Sequence, residues 1–278
     1  MATDLHRPRW RTAGAYAGLT TLAVVVLFPV YMTVVRALSQ PRAYVEAGQP
    51  PWPVDVEWDV FSRAFSEGQF SRKFLVSAIV TIVIVAGQLV TSVLAAYAFT
   101  FLRFPFRDAL FLVFMATLML PIEVTLIPNA QTVRSLGWLN SYPGLVAPFL
   151  ATAFGTFLLR QGFRGIPRDL LDAAQLDGFG HLAFLRRVAL PVTRPIVASF
   201  GVIAFLAAWN QYTWPRAVVN EREWETVQIG LKTATTVSAE QTNLAYAAAI
   251  IVALPILFLL IFLQRQIVRG LTAGAVKG

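Results

Sequence analysis

Cysteine is absent from the 278 residues, which excludes a disulfide framework, thiolate metal sites and a thiol nucleophile. Histidine is almost absent too: His6 and His181 are the only two, which leaves a zinc or di-metal hydrolase with little support. No G-x-x-x-x-G-K-[ST] phosphate loop occurs, so ATP hydrolysis cannot be assigned to this chain. Charged residues are scarce, at 14%. Short alternating segments of the kind that build a closed barrel are missing, as are low-complexity tracts and short-period repeats.

What fills the chain is apolar: 56% of residues are hydrophobic and 13% aromatic. They fall in runs of about 20 residues, the length that crosses a bilayer as a helix. Lipid offers a free backbone N–H or C=O no partner, so each run must be helical. The expected fold is all-α, a single transmembrane domain over 1–278 with six spans near 13–37, 74–101, 108–128, 143–163, 195–215 and 244–264. The N-terminal run has a basic front end, but its apolar body exceeds the 7–15 residues of a signal-peptide core. It is expected to stay as the first span.

Basic residues gather on the cytoplasmic side of membrane proteins. With the N-terminus inside, the inner segments carry Arg7, Arg9 and Arg11, then Arg103 and Arg107, then Arg160, Arg164, Arg168, Arg186, Arg187 and Arg194, then Arg265, Arg269 and Lys277. The outer loops hold Glu46, Asp55, Glu57, Asp59 and Glu67, and later Glu221, Glu223, Glu225 and Glu240. Both termini are therefore expected in the cytoplasm. The formal charge of +8 is spread along every inner boundary and forms no single stripe, which argues against nucleic-acid binding.

One polar island interrupts this pattern, LLDAAQLDGFGHLAFLRRVALP from Leu170 to Pro191, within an inner loop over 164–194. Gly178, Gly180 and Ala183 match the G-x-G-x-x-A dinucleotide fingerprint. The fingerprint needs a preceding strand and an acidic residue about 20 positions later, and neither is present. A mechanical reading fits better. Pro167 suits a helix start, Asp169 and Asp172 favour its positive end, and Gly178 supplies the stop. Leu170, Ala173, Ala174 and Asp177 share one side, where the alanine pair lets another surface approach the backbone closely. For 181–190 a second reading stays open: Arg186 and Arg187 on lipid headgroups, with Phe184 and Leu185 inserted.

D-A-A-x-x-x-D-G followed by Leu190-Pro191 resembles the cytoplasmic loop of ATP-binding-cassette importer permeases, whose pattern is E-A-A, D-G and a hydrophobic-Leu-Pro end. Asp172 stands where the family has Glu, one methylene shorter, and Phe179 stands where Ala is usual. Ala173, Ala174, Asp177 and Gly178 match. The resemblance covers nearly the whole chain, including the C-terminal RGLTAGAVKG, and is to the carbohydrate-importer branch, the maltose G-type half.

That resemblance implies a transport subunit and not an enzyme, in a multi-pass position in a bacterial-type cell membrane. It implies a sister permease, two ATP-binding subunits that supply the ATP and Mg chemistry, and an extracytoplasmic substrate-binding protein. Asp169, Asp172, Ala173, Ala174, Asp177, Gly178, Leu190 and Pro191 would then form the coupling element that sits in the ATPase. AWNQYTWP (Ala208–Pro215) and TVQIGLK (Thr226–Lys232) look like the glycerol-3-phosphate members of the branch. The expected cargo is sn-glycerol-3-phosphate or a glycerophosphodiester, with a disaccharide or oligosaccharide as the alternative. A membrane-embedded hydrolase or transferase is the rival from another class.

Polar residues inside spans are costly and tend to face water or a neighbour. Gln88, Glu123, Asn210 and Gln211 qualify as translocation-path candidates. Trp209 and Tyr212 join them as rings able to stack on a sugar face. Trp214 fits that role or an aromatic belt at the outer interface.

Overall fold

The computed structural model describes the backbone of residues 9–234 and 241–272. Arg7, Glu240, Lys277 and the Gly274–Gly278 ending lie outside the described residues. The main helices are α1 (Arg9–Leu38), α2 (Phe70–Phe101), α3 (Arg107–Ala116), α4 (Ile122–Ser135), α5 (Ala153–Arg164), α6 (Arg168–Leu176), α7 (Arg194–Trp209) and α8 (Thr242–Thr272). Among the described residues the only β pairing is an isolated bridge between Ser39 and Val56.

Three stretches are each long and apolar enough to cross a bilayer: Gly14–Leu38, Phe70–Phe101 and Thr242–Gln264. Three further pairs qualify together but are bent: Arg107–Met119 with Ile122–Ser135 by 97°, Tyr142–Phe149 with Ala153–Arg164 by 46°, and His181–Val192 with Arg194–Trp209 by 81°. Proline places two of these breaks. Pro121 sits ahead of α4 in an extended conformation, and Pro195 occupies the first turn of α7. Both lack the N–H that would continue a preceding helix. The fifth expected span, 195–215, ends as a helix at Trp209; residues 210–212 break it before a short helix, Thr213–Val218.

The chain divides into two compact units, residues 1–69 with 231–253, and 70–230 with 254–278. In the first, Ala37 of α1, Val60 and Ala64 of the short helix Val60–Glu67, and Leu244 and Ala247 of α8 form a small core. Arg36 anchors it. Its guanidinium donates to Tyr246 Oη and Gln49 Oε1, each at 2.6 Å, and lies over the Tyr44 and Tyr246 rings. Glu57 pairs with Arg63 and accepts from Asn243 Nδ2 at 3.0 Å. Earlier in α1 the apolar residues are exposed all round, from Tyr16 at 67% to Val30 at 58%. A helix bare of cover on every side needs an apolar solvent.

The second unit is built on α2, which packs along both α5 and α7. One core gathers Ala96, Tyr97, Leu159, Phe163, Phe184 and Phe200. A second core joins Val76, Val80 and Ile84 of α2 to Val133, Leu145, Trp214 and Val218. Close approach of α5 to α7 depends on Gly155 and Gly162, seven residues apart on one stripe. A Cβ at Gly155 would overlap the Phe200 ring and the Ser92 hydroxyl, and one at Gly162 would meet Ile196 Cδ1 at 2.8 Å. Small residues serve this purpose where helices associate in lipid.

Gly155→Ala should therefore destabilise the protein by about 1–3 kcal/mol through overpacking. Gly201→Ala, whose Cβ would have only Leu89 at 3.9 Å, should instead raise the unfolding midpoint by its helix propensity. Midpoints moving the same way in both variants would refute the packing account.

Candidate functional site

The polar island folds as α6, a sharp turn, and a second helical stretch returning to α7. Pro167 stands just outside α6 as its N-cap, with φ −57° and ψ 139°, and Asp169 lies in the first turn. The helix ends at Leu176, with Asp177 as its C-cap and Gly178 at φ +77°. Gly178 N donates to Gln175 O at 3.0 Å, and Phe179 N donates to Ala174 O at 2.8 Å. This pair of bonds is the Schellman closure, which needs a left-handed residue where glycine stands. Its usual apolar contact is present as well, since Ala174 and Phe179 belong to one core.

That closure decides which face of α6 is free. Ala174 is buried, Leu171 is half-buried, and both pack into the core around Tyr97, Phe163 and Phe184. Leu170, Ala173, Asp177 and above all Leu176, 90% exposed, face outward together with Asp169 and Asp172. The expectation of a free Ala173–Ala174 pair is thus corrected: Ala174 is taken by the protein's own core, and Ala173 alone remains open.

The second stretch begins at His181–Phe184 and widens into a π-helical turn over Leu185–Ala189. Pro191 explains the widening, because its ring excludes the carbonyl of an ordinary preceding turn. Phe184 is 1% and Leu185 5% exposed, so the expected insertion of these two side chains into lipid is corrected. Arg186 and Arg187 point outward, and the Arg187 guanidinium lies 5.2 Å from the centre of the Phe179 ring. The aromatic residue in place of the usual alanine thus bridges the turn to the returning helix. Tyr97 of α2, buried, brings its Oη to 3.0 Å from His181 Nδ1. Leu190 is half-buried, Pro191 exposed, and Thr193 Oγ1 donates to Ala189 O at 2.7 Å to close the stretch.

The translocation-path candidates separate. Gln88 donates its Nε2 to Phe149 O at 2.9 Å, which commits its amide to the fold. Glu123 is exposed in the first turn of α4 and has no ion pair among the described residues. Trp209 is 4% exposed and stacks on Phe205 at 5.8 Å. Trp214 is also buried, its Nε1 donating to Gly144 O at 3.1 Å, so neither an interfacial belt nor ring stacking on a sugar describes it. Tyr212 keeps 37% of its surface.

Asn210, Gln211 and Tyr212 sit together where α7 stops. Asn210 Nδ2 donates to Leu206 O at 2.9 Å, its Oδ1 accepts from Gln228 Nε2 at 3.2 Å, and Gln211 Oε1 is enclosed with no partner. Gln228 belongs to the TVQIGLK stretch and was not singled out; its position three residues before the apolar end of that stretch carries no signal of this contact. Nearby, Lys73 pairs with Glu225 at 3.1 Å and Val227 N donates to Ser77 Oγ at 2.9 Å, fastening the stretch to the start of α2. Among the described residues no group of His, Asp or Glu could hold a metal ion.

Residues 68–273 match the family described as "Binding-protein-dependent transport system inner membrane component". The chain belongs to that family. It is accordingly a multi-pass membrane protein and a transport permease subunit of the ATP-binding-cassette importer type. The sn-glycerol-3-phosphate transport system permease protein UgpE of Rhizobium meliloti (strain 1021) is 35% identical over 89% of this chain and 91% of its own length. The protein of the same name in Agrobacterium fabrum (strain C58 / ATCC 33970) is 34% identical over the same shares. Among solved structures, a bacterial ABC transporter involved in the import of the acidic polysaccharide alginate superposes with a TM-score of 0.81 over 95% of this chain and 99% of that one, at 22% identity. The fold of this family is therefore the fold described above.

The turn after α6 has open space around Gly178, with nothing within 4 Å of an added Cβ, so substitution acts there through the backbone alone. Gly178→Asn, which tolerates a left-handed φ, should keep the Phe179 amide protected from hydrogen exchange. Gly178→Val should cost about 1–2 kcal/mol of local strain and speed that exchange roughly tenfold. Equal protection in both variants would refute the Schellman assignment.

Proposed function

We propose that this chain is the permease subunit of an importer for sn-glycerol-3-phosphate or a glycerophosphodiester, and that residues 164–194 form its coupling element. The support for the cargo is the 35% identity to the Rhizobium meliloti permease named for glycerol-3-phosphate, spread over almost the full length of both chains. In this reading the three long helices, the two bent pairs over 107–135 and 142–164, and α7 make six crossings, with both termini in the cytoplasm. A sister permease, two ATP-binding subunits that hold the ATP and Mg, and a substrate-binding protein complete the machine.

The coupling reading draws on the exposed outer face of α6. Leu176, Ala173 and the acidic Asp169, Asp172 and Asp177 fit a groove in another protein better than an anionic bilayer. Movement of an ATPase surface would be passed through Ala174 and Phe179 into the core holding Tyr97, Phe163 and Phe184, and so into α2, α5 and α7. Leu190 and Pro191 stand at the returning end, where the path turns by 81° into α7. The cluster of Asn210, Gln211, Tyr212 and Gln228 is the part of the path favoured to meet cargo, because it gathers the exposed Asn210 amide and the exposed Tyr212 ring where α7 stops. Polyol hydroxyls would bond to these groups, and the charge of a phosphate would be met by cationic groups of the sister subunit. Glu123 is disfavoured beside a phosphate. A disaccharide or oligosaccharide is the second reading; of Trp209, Tyr212 and Trp214 only Tyr212 offers ring surface to it.

The test is binding-protein-dependent ATPase activity of the reconstituted complex, with glycerol-3-phosphate, glycerophosphocholine and maltose offered in turn. Stimulation by the phosphates is expected, and stimulation by maltose alone would transfer the chain to the sugar reading. In the same preparation Gly178→Val should keep ATP hydrolysis while lowering uptake per ATP; unchanged transport would remove the coupling assignment.

A further inference from the structure

Beside the buried face of α6 lies a cleft of about 1250 Å³ that the transport reading leaves without a task. Its walls are the end of α2, the loop into α3, the end of α5 and one flank of α6. Five guanidiniums line it, from Arg103, Arg107, Arg160, Arg164 and Arg168, against the two carboxylates of Asp108 and Asp172. Asp108 is already shared, 3.1 Å from Arg107 Nε and 3.7 Å from Arg160 Nη2. Arg160 is further held over the Phe111 ring at 3.8 Å, and its buried Nε has no partner. Arg103, Arg164 and Arg168 make no side-chain hydrogen bond or ion pair among the described residues, and all three are exposed. So much uncompensated positive charge in one concavity favours an anion, and guanidinium forks suit phosphate oxygens.

The cleft does not end in the polar loop. It continues into a shallower depression lined by Arg103, Arg107 and Arg168, by Phe104, Phe106 and Ala109, and by the carboxylate of Asp108, on the flank of α3. Phe106 has φ +58°, a left-handed conformation that a bulky residue rarely adopts, and it is 80% exposed. This strained turn sends the ring outward while the next residue, Arg107, turns in. On the same side of α3 follow Leu110, 52% exposed, and Val113, 67% exposed, at the spacing of one helix face. A basic cleft thus opens onto an apolar strip, at the level where the bilayer-crossing helix α2 ends.

We propose that this cleft binds the headgroup of an anionic phospholipid, whose phosphate sits among Arg103, Arg164 and Arg168 and whose acyl chain lies along Phe106, Leu110 and Val113. Basic pockets between spans at headgroup depth bind such lipids in general. A soluble phosphate would use the guanidiniums but not the apolar strip. An acidic protein surface would use neither Phe106 nor the face of α3 that lipid covers. Because α6 forms one wall, the occupied cleft would brace the coupling element from the membrane side.

The intact transporter complex, stripped of lipid and titrated with phosphatidylglycerol or phosphatidylcholine, tests this by native mass spectrometry. Wild type should retain one tightly held phosphatidylglycerol per copy of this chain over phosphatidylcholine. Arg103→Gln/Arg164→Gln/Arg168→Gln should lose that molecule, with affinity falling about fivefold for each charge removed. Leu110→Gln/Val113→Gln should weaken retention of the lipid while leaving binding of inorganic phosphate unchanged. An unaltered unfolding midpoint in each variant separates lost binding from lost fold. Equal retention of the two lipids by wild type overturns the proposal without reference to any variant. Persistence of the preference in the triple variant, or displacement of the lipid by inorganic phosphate at similar concentration, overturns it as well.

Discussion

A backbone carbonyl left without its helical partner in an apolar surrounding costs several kcal/mol, and every bend in this chain creates some. The break before α5 is the clearest case. Gly144, Phe149 and Leu150 lie where the chain stops being a regular helix, and each carbonyl is met by a side chain from elsewhere. Trp214 Nε1 reaches Gly144 O, Gln88 Nε2 reaches Phe149 O, and Thr91 Oγ1 reaches Leu150 O at 2.9 Å. Two polar residues of α2, Gln88 and Thr91, are thus spent on holding a kink. With the kink held, α5 leaves at its 46° angle and its two glycines meet α7.

The same constraint shapes the polar island at the other end of α5 and α7. There the orphaned carbonyls of α6 are satisfied by the turn itself, through Gly178 and Phe179, and need no donor from a distant helix. The consequence is a short helix whose inner face is welded to the core and whose outer face is bare. A rigid, locally closed element of this kind can pass a push from outside to the helices behind it, since Ala174, Phe179 and Phe184 touch the same packed cluster that contains Tyr97 and Phe163. Arg187 over Phe179 ties the two limbs together.

How much of this was legible in the amino-acid order depends on the range of the interaction. The stop at Gly178 and the start at Pro167 rest on local backbone sterics and were visible as residue types at given positions. The D-A-A-x-x-x-D-G signature and the later Leu-Pro likewise lie within one short stretch. What could not be read was which side of α6 faces inward. Helical spacing groups Leu170, Ala173, Ala174 and Asp177, but Ala174 is drawn to the core by its bonded partner Phe179. Trp209 and Trp214 illustrate the same gap: an aromatic ring near a span end fits a belt, a binding face or a core, and only the neighbours Phe205 and Gly144 decide among them.

The sequence by itself determined that this is an all-helical membrane protein with a polar element between two apolar segments, because hydrophobic run length and the lack of backbone partners in lipid leave no other construction. It also carried the family, through a motif short enough to survive at one-third identity. Tertiary structure alone decided that Gln88 clamps a carbonyl, that Gln228 meets Asn210, and that arginines from three separate helices and a loop share one cleft. Those outcomes join residues up to 61 and 65 positions apart, and no local propensity encodes a contact whose partners are chosen by how the helices pack.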